Sequence, residues 1–313
     1  MTTLPPVPSE ENPSRIRSPV TVPEVQARKY TRMRAEGKGG GDSGPSGRPI
    51  VMVTAYDAVS ARVAEAAGVD IVLVGDSLGM VVLGYDTTLA VTVDDIVRHT
   101  GAVTRSLRTP LVVADMPYLS FHVSPEETVK NAGRMIVEGG AAAVKIEGGS
   151  KRIRTIEALL DAEIPVMGHI GLTPQSVHSF GGFKVQGKAA DAAYRLIEDA
   201  KALEAAGVFS IVLECVPREL ARIITNEVSV PTIGIGAGPH CDGQVLVFHD
   251  IVGMSSQRRP RFVRSFGDLE TLAVEAVSNY ASAVIEGRFP SDEESYDLSE
   301  DVAQALKARY GWE

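Results

Sequence analysis

Seven charged or polar side chains stand within or just after apolar segments, where they could do chemistry. They are Asp76, Ser77, Asp115, Lys145, Glu147, His169 and Glu214. Asp76 shows the pattern clearly, because it follows the apolar run VDIVLVG and precedes Ser77. A carboxylate beside a buried strand is costly unless a cation meets it. Four of the seven are carboxylates and one is a lysine, so in a shared cleft they would repel one another strongly without a divalent cation.

These residue types favour a magnesium site. Ligands that are all oxygen and mostly carboxylate suit Mg²⁺ or a similar hard ion better than zinc. Magnesium usually takes one or two protein carboxylates, which makes Asp76 and Asp115 the expected direct pair. Glu147 is then either a third ligand or an acceptor for water around the metal. Taken singly, each residue also has a structural explanation, because an acid can cap a helix and His169 can be a semi-buried histidine without a ligand.

Eight short apolar segments contain or precede these side chains and are predicted to be strands. They cover residues 50–56, 69–75, 110–116, 142–148, 165–171, 209–215, 231–238 and 244–250. Segments with helical spacing of apolar residues lie between them, often with Ser, Thr or Asp at the start and Gly at the end. Apolar strands that alternate with helices are typical of a parallel sheet, and eight such units predict a closed (β/α)8 TIM barrel. In that fold the functional side chains gather at the carboxyl ends of the strands.

The predicted barrel is a single domain over residues 24–313. Residues 1–23 contain six of the 18 prolines and little apolar surface, so a disordered tail is expected there. Other expected elements are a first helix at 22–34, a flexible glycine-rich loop at 37–47 and added helices at 267–287 and 298–309. The last two predicted strands start at residues 231 and 244, which leaves little room for a helix between them.

Charge and composition exclude several classes of function. The formal net charge of -9 and the pI near 5.3 give no broad basic surface, so we expect no binding to nucleic acid or anionic lipid. No apolar stretch approaches the roughly 18 residues of a membrane span, and the N-terminus lacks the pattern of a secretion signal. Cys215 and Cys241 are too few for a disulfide framework and lack CxxC spacing, which favours a cytoplasmic protein.

Other motifs give weaker indications. GIGAGP at residues 234–239 places glycines near the seventh predicted strand but lacks GxGxxG spacing, so a tight turn is favoured over a phosphate site. No HExxH string occurs, GFKVQGK at residues 182–188 fits GxxxxGK but lacks the Ser or Thr that should follow, and GDSLG at residues 75–79 fits GxSxG in spacing. The usual sequence support for nucleotide hydrolysis and metalloprotease activity is therefore missing, and a short GxSxG match by itself is weak support for a serine hydrolase.

Seven short segments of the sequence together carry a resemblance to a known protein family. They are VTAYD, VGDSLGMVVLGYDTT, ADMPY, VKIEGG, GHIGLTPQSVHSFGGFKVQGK, LECVP and GIGAGPHCDGQVLVFHDIVGM. From about Thr21 to Pro290 the sequence resembles the 3-methyl-2-oxobutanoate (ketopantoate) hydroxymethyltransferase family of pantothenate biosynthesis. The resemblance implies a barrel related to the phosphoenolpyruvate mutase and isocitrate lyase group, in a large homo-oligomer that is commonly a decamer. It also implies transfer of a hydroxymethyl unit from 5,10-methylenetetrahydrofolate to 3-methyl-2-oxobutanoate, giving 2-dehydropantoate and tetrahydrofolate.

The resemblance further implies roles for the acidic residues. Asp76 of VGDS and Asp115 of ADMP would hold one Mg²⁺ per subunit and lie against the substrate. Glu147 of VKIEGG would complete the metal site. Glu214 of LECVP would be the catalytic base. This set suits the chemistry, because a metal on the keto oxygen can stabilise the enolate that forms when a base removes the proton from the adjacent tertiary carbon.

Three further residues would bind the oxo acid. By the same resemblance, Ser77 and Lys145 would bind the carboxylate of the oxo acid, and His169 would lie beside the substrate. The glycine-rich insert at 37–47 and the longer proline-rich tail depart from the family pattern. Neither departure touches the site strings.

Two other interpretations stay open at this point. A C–C lyase or phosphonomutase on the same barrel would share the metal and the recognition of a 2-oxo acid, but that group typically carries a KKCGH-like loop, which this sequence lacks. A non-catalytic barrel that binds a metabolite or serves as a scaffold would not require the polar strand ends to converge.

Overall fold

A computed structural model describes residues 18–35, 48–255 and 260–311, and it confirms the predicted barrel. The strands are β1 Ile50–Thr54, β2 Ile71–Val74, β3 Leu111–Asp115, β4 Ala143–Glu147, β5 Val166–Gly171, β6 Ser210–Glu214, β7 Thr232–Ile235 and β8 Gly243–Val247. They are parallel and close in sequence order, with β8 paired to β1. Each overlaps one segment predicted from the sequence.

Helices surround the barrel and extend beyond it. In the described residues they are α1 Val22–Ala35, α2 Ala58–Ala66, α3 Leu78–Val81, α4 Val93–Thr104, α5 Pro125–Val137, α6 Ile153–Asp161, α7 Val177–Phe180, α8 Ala190–Ala206, α9 Arg218–Glu227, α10 Phe248–Val252, α11 Leu269–Ile285 and α12 Glu300–Tyr310. The expected first helix and the two added helices are confirmed as α1, α11 and α12. The chain passes from β7 to β8 without a helix, as their spacing predicts. None of the described helices is long and apolar enough to cross a membrane.

The predicted tail and glycine-rich loop fall mainly outside the described residues. This applies to residues 1–17 of the tail and to the whole loop at 37–47. The backbone N–H of Val20 donates a hydrogen bond to the carbonyl of Thr109, and α1 begins at Val22. The folded domain therefore begins a few residues before position 24.

Local side-chain contacts fix where several of the helices begin. Asp57 accepts the backbone N–H of Ser60 at 2.7 Å at the start of α2. Thr92 and Asp95 form a reciprocal capping box at the start of α4, and Ser124 caps α5. Such caps satisfy backbone donors that would otherwise lack partners in the first turn. The polar residues that precede these helices therefore determine where each helix begins.

The apolar core has two layers, one on each face of the sheet. Val144 and Ile146 of β4 belong to the outer layer, which packs against the helices, whereas Ala143 belongs to the inner layer. The inner layer fills the amino-terminal half of the barrel, and Val25 of α1 joins it with no exposed surface. Because side chains alternate along a strand, Lys145 shares the inward face with Ala143. The apolar filling thus gives way to polar side chains towards the carboxyl end.

Candidate active site

Strand register brings the predicted site residues together. Asp115 pairs with Lys145 across β3 and β4, and Glu147 pairs with His169 across β4 and β5. Partners in parallel strands point to the same face of the sheet, so these four side chains point into the barrel. Glu214 ends β6 on the far side of His169. The alignment of neighbouring strands therefore places residues that lie far apart in the sequence at a similar height along the barrel axis.

The site is a cavity of about 780 Å³ at the carboxyl end of the barrel. All seven residues predicted from the sequence line it: Asp76, Ser77, Asp115, Lys145, Glu147, His169 and Glu214. Its deepest charged groups are almost fully buried, with Asp115 2% and Lys145 4% exposed. The side chain of Glu214 is 15% exposed and lies nearer to solvent. The convergence of the polar strand ends, which a scaffold barrel would not need, is therefore found.

Lys145 and Asp115 form a buried ion pair. Lys145 Nζ lies 2.6 Å from Asp115 Oδ1 and 2.7 Å from Oδ2. Burial alone would lower the pKa of Lys145, but the charges of Asp115, Glu147 and Asp76 outweigh it and raise that pKa. Lys145 therefore remains a cation on the cavity floor.

The surroundings of Asp76 disfavour its ionised form. Burial is the largest cause that raises the pKa of Asp76 well above its ordinary value, and the charges of Asp115 and Glu147 raise it further. Lys145 and a hydrogen bond from Gln175 oppose the shift only in part. A carboxylate held in this way favours a bound cation as its partner.

His169 lies between two carboxylates. Its Nδ1 is 3.5 Å from Glu147 Oε1, and its Nε2 is 3.3 Å from Glu214 Oε2. Neither ring nitrogen makes a hydrogen bond of good geometry within the described structure. Burial and Lys145 act to lower the pKa of His169, but the flanking carboxylates outweigh them and raise it to about 9. His169 is therefore positively charged near neutral pH.

Two residues that sequence reasoning missed support this set. Tyr56 is buried, and its hydroxyl oxygen lies 2.8 Å from Ser77 Oγ while it accepts a hydrogen bond from Thr54 Oγ1. Gln175 donates from Nε2 to Asp76 Oδ2 at 2.9 Å. Tyr56 ends the first predicted strand, which could have marked it, but a glutamine in a loop gives no comparable signal. Only the contacts in the folded structure show that these two residues hold Ser77 and Asp76.

The donor set fits magnesium. Within the described residues, no group of three or more His, Cys, Asp or Glu side chains is placed to hold a metal ion. Asp76 and Asp115 do lie together, because the backbone N–H of Asp76 donates to Asp115 Oδ2 at 3.4 Å. Glu147 Oε2 instead accepts the backbone N–H of Gln175 at 3.1 Å. Two direct carboxylates are what Mg²⁺ commonly takes, and Glu147 then suits an outer acceptor better than a third ligand.

Solved structures share the fold. A 2,3-dimethylmalate lyase, described as a phosphoenolpyruvate mutase/isocitrate lyase superfamily member, aligns over 90% of this chain and 98% of its own, with a TM-score of 0.52 and 18% identity. A phosphonopyruvate hydrolase in complex with oxalate and Mg²⁺ aligns over 91% and 99%, with a TM-score of 0.52 and 15% identity. The chain therefore shares its closed parallel barrel fold with these two enzymes.

Sequence comparison defines the family within that class. The family model for ketopantoate hydroxymethyltransferase matches residues 42–292. The chain is 59% identical over 257 residues to the 3-methyl-2-oxobutanoate hydroxymethyltransferase of Syntrophomonas wolfei subsp. wolfei, covering 82% of this chain and 93% of that relative. The chain belongs to the ketopantoate hydroxymethyltransferase family and is an enzyme of the hydroxymethyltransferase type. The resemblance found in the sequence is thus confirmed.

Proposed function

We propose that this chain transfers a hydroxymethyl group from 5,10-methylenetetrahydrofolate to 3-methyl-2-oxobutanoate. One water is consumed to supply the hydroxyl group, and the products are 2-dehydropantoate and tetrahydrofolate, in the pathway to pantothenate. The observation that carries the proposal is the convergence of three buried acids, a buried lysine and a more accessible glutamate on one cavity of about 780 Å³. Membership of the family supports the choice of oxo acid.

Asp76 and Asp115 are the proposed direct holders of Mg²⁺, with Glu147 as their outer partner. When bound, the metal would supply a Lewis acid for the keto oxygen of the substrate, so that loss of the neighbouring proton becomes feasible near neutral pH. Three carboxylates also provide the excess negative charge that a dication balances. The raised pKa of Asp76 reflects that excess, through burial first and through Asp115 and Glu147 second.

Lys145 and Ser77 are proposed to bind the carboxylate of the oxo acid. Lys145 lies in the cavity as a buried cation, and its ammonium group has a third hydrogen available beyond its two contacts with Asp115. The hydroxyl of Ser77 is held in place by Tyr56. The substrate carboxylate would thus meet one charged and one neutral donor, which fixes the orientation of the tertiary carbon.

Glu214 is the proposed base. It lies on β6, on the far side of His169 from Glu147, and so approaches the cavity from a different side. His169 Nε2 lies 3.3 Å from Glu214 Oε2 and would orient that carboxylate towards the substrate. The proton on carbon 3 of the oxo acid would pass to Glu214, and the resulting carbon nucleophile would attack the one-carbon unit of the folate.

The outer cavity is proposed to hold the folate. Phe183 and Val185 line it and are 56% and 44% exposed, so they form an apolar wall near the mouth. Lys184 lies between them in the sequence and also lines the cavity, where it could meet the carboxylates of a folate. A volume of about 780 Å³ lies in the range for drug-sized ligands and exceeds the needs of a five-carbon oxo acid alone.

We also propose a cytoplasmic homo-oligomer. The two cysteines that the structure describes, Cys215 and Cys241, are buried and are not joined in a disulfide, which suits a reducing compartment. Helix α11 has no buried residue, although it is rich in apolar side chains. A second copy of this chain is the proposed cover for that helix, because a helix that exposes apolar side chains along its whole length is unusual for a monomer.

The direct test is a product assay. The purified protein is incubated with 3-methyl-2-oxobutanoate and 5,10-methylenetetrahydrofolate, with Mg²⁺ or with EDTA, and 2-dehydropantoate is measured by mass spectrometry. Formation of product with Mg²⁺ and its loss with EDTA are expected. No product under any metal condition, or equal product in EDTA, would contradict the proposal.

A further inference from the structure

Gln175 joins the ends of three strands from the loop after β5. It lies in the 3-10 turn Pro174–Ser176 and is 5% exposed. Its Nε2 donates to Asp76 Oδ2 and to the carbonyl of Met116, each at 2.9 Å. Its backbone N–H donates to Glu147 Oε2 at 3.1 Å. One residue thus connects the chain segments after β2 and β3 with the last residue of β4.

The contacts of Gln175 fix which way its carboxamide points. Both partners of Nε2 are acceptors, a carboxylate oxygen and a backbone carbonyl. The reversed amide would place Oε1 against those same acceptors, which is repulsive. Oε1 is buried and has no hydrogen-bond partner within the described residues. The side chain therefore presents a fixed pair of donors on one side and an unused acceptor on the other.

A neutral donor is well suited to this position. Gln175 occupies Oδ2 of Asp76, and Oδ1 takes no hydrogen bond from the described residues. A lysine or arginine here would cancel the charge of Asp76 and compete with a cation. An amide instead orients the carboxylate and leaves its charge available, as groups that hydrogen-bond to metal ligands commonly do.

We propose that Gln175 is a positioning residue for the magnesium site. It sets the orientation of Asp76 through its side chain and holds Glu147 through its backbone, so that the acids from different strands face one ion. The proposal rests on the metal site of the proposed function. The chain's own geometry carries it, because one buried residue contacts two of the three acids and the segment directly after Asp115.

The test is the magnesium affinity of Gln175→Met. Methionine keeps the length of the side chain and removes both donors, while the backbone N–H to Glu147 remains. Titration calorimetry of the full-length protein should show a Kd for Mg²⁺ that is about 10- to 100-fold higher than in the wild type. Saturating Mg²⁺ should restore most of kcat, because the catalytic groups themselves are unchanged.

Gln186→Met is the matched control. Gln186 lies in the same connection between β5 and α8, and its Nε2 donates only to the carbonyl of Lys184, at 2.9 Å. The control should keep the wild-type Kd. A structural role for Gln175 alone would lower the midpoint of thermal unfolding without changing metal affinity.

Unchanged Mg²⁺ affinity in Gln175→Met would overturn the proposal, whatever happens to stability. If that variant does not fold, Gln175→Asn is measured in the same way. Asparagine keeps a carboxamide but falls one methylene short of Asp76, so the same loss of affinity is expected. A wild-type protein that binds no Mg²⁺ would contradict the metal site itself, whereas tight binding by both proteins would contradict only the role of Gln175.

Discussion

Glu214 differs from the other acids of the cavity in its access to solvent and in its partner. Its side chain is 15% exposed, whereas those of Asp115 and Glu147 are 3% and 4% exposed. It faces His169 and makes no ion pair with Lys145, whose nearest carboxylate is Asp115. A group that moves protons needs this partial freedom, and a group that holds a metal does not. Their surroundings therefore support the proposed division of roles among the acids.

Replacing Glu214 with Gln should stop proton removal and leave binding intact. Exchange of the proton on carbon 3 of 3-methyl-2-oxobutanoate with deuterium oxide, followed by NMR, should slow by about 10²- to 10⁴-fold. Calorimetry should show Mg²⁺ and oxo acid binding close to the wild type. The exposed Glu219 on α9 offers a control, since Glu219→Gln should exchange normally. Undiminished exchange in Glu214→Gln would remove it as the base.

Asp76→Ala and Asp115→Ala should each weaken Mg²⁺ binding. Loss of a direct ligand should cost more than the roughly 10- to 100-fold that follows loss of a group hydrogen-bonded to a ligand. Calorimetry measures the effect, and Asp86→Ala, at an exposed position outside the cavity, should bind like the wild type. Unchanged affinity in either cavity variant would refute ligation by that residue.

The sequence located the residues on strands better than those in loops. Asp115, Lys145 and Glu147 were predictable because each lies in an apolar run whose inward face can be inferred. Gln175 was not, because it meets Asp76 across 99 residues of sequence and Glu147 across 28. No local pattern encodes such a distant partner. Contacts of this kind depend on how the loops fold over the barrel.

At the scale of elements, α1 closes the amino end of the barrel. Lys29 of α1 is 2% exposed and donates to Asp242 Oδ2 at 2.9 Å and to the carbonyl of Thr225. Asp242 Oδ2 also accepts the backbone N–H of Thr232 at 2.9 Å. This buried pair thus ties the first helix to the two strands that lack a helix between them. The sequence predicted α1 as a helix but gave no indication of its polar anchor.

Lys29→Met should destabilise the fold without touching the active site. Removing the ammonium group breaks a buried ion pair, which costs about 3–5 kcal/mol. Urea unfolding followed by circular dichroism should show that loss, while the rate of deuterium exchange per folded molecule stays near the wild type. Lys201→Met, which breaks the exposed pair with Glu227, should leave the urea midpoint unchanged. A wild-type midpoint in Lys29→Met would show that the pair adds no stability.

In the whole molecule, helix α11 exposes apolar side chains that the described residues of a single chain do not cover. Its residues Val274, Val277 and Ile285 are 61%, 66% and 85% exposed. Isolated apolar residues on a surface need no explanation, but a helix that exposes many of them together marks an interaction surface. Periodicity predicted the helix at this position. Its lack of cover could not be predicted, because the sequence does not show which surface a helix meets.

Val277→Asp should weaken self-association. A charge on the apolar face of α11 would have to be buried when a second copy packs on it, and a buried unpaired charge is costly. Sedimentation velocity should show a shift from the wild-type oligomer towards smaller species. Val137→Asp, at an exposed site that ends α5, is the control and should sediment like the wild type. A monomeric wild-type protein, or an unchanged oligomer in Val277→Asp, would contradict the proposed cover.

We propose that acids from separate strands hold one hard dication, which makes carbon 3 of a bound oxo acid able to lose its proton. The most direct measurement is deuterium exchange at that carbon in the wild-type protein without folate, first with Mg²⁺ and then with EDTA. We expect rapid exchange with Mg²⁺ and loss of exchange in EDTA that added Mg²⁺ reverses. Exchange that persists at the same rate in EDTA, or no exchange with any divalent metal, would contradict the account.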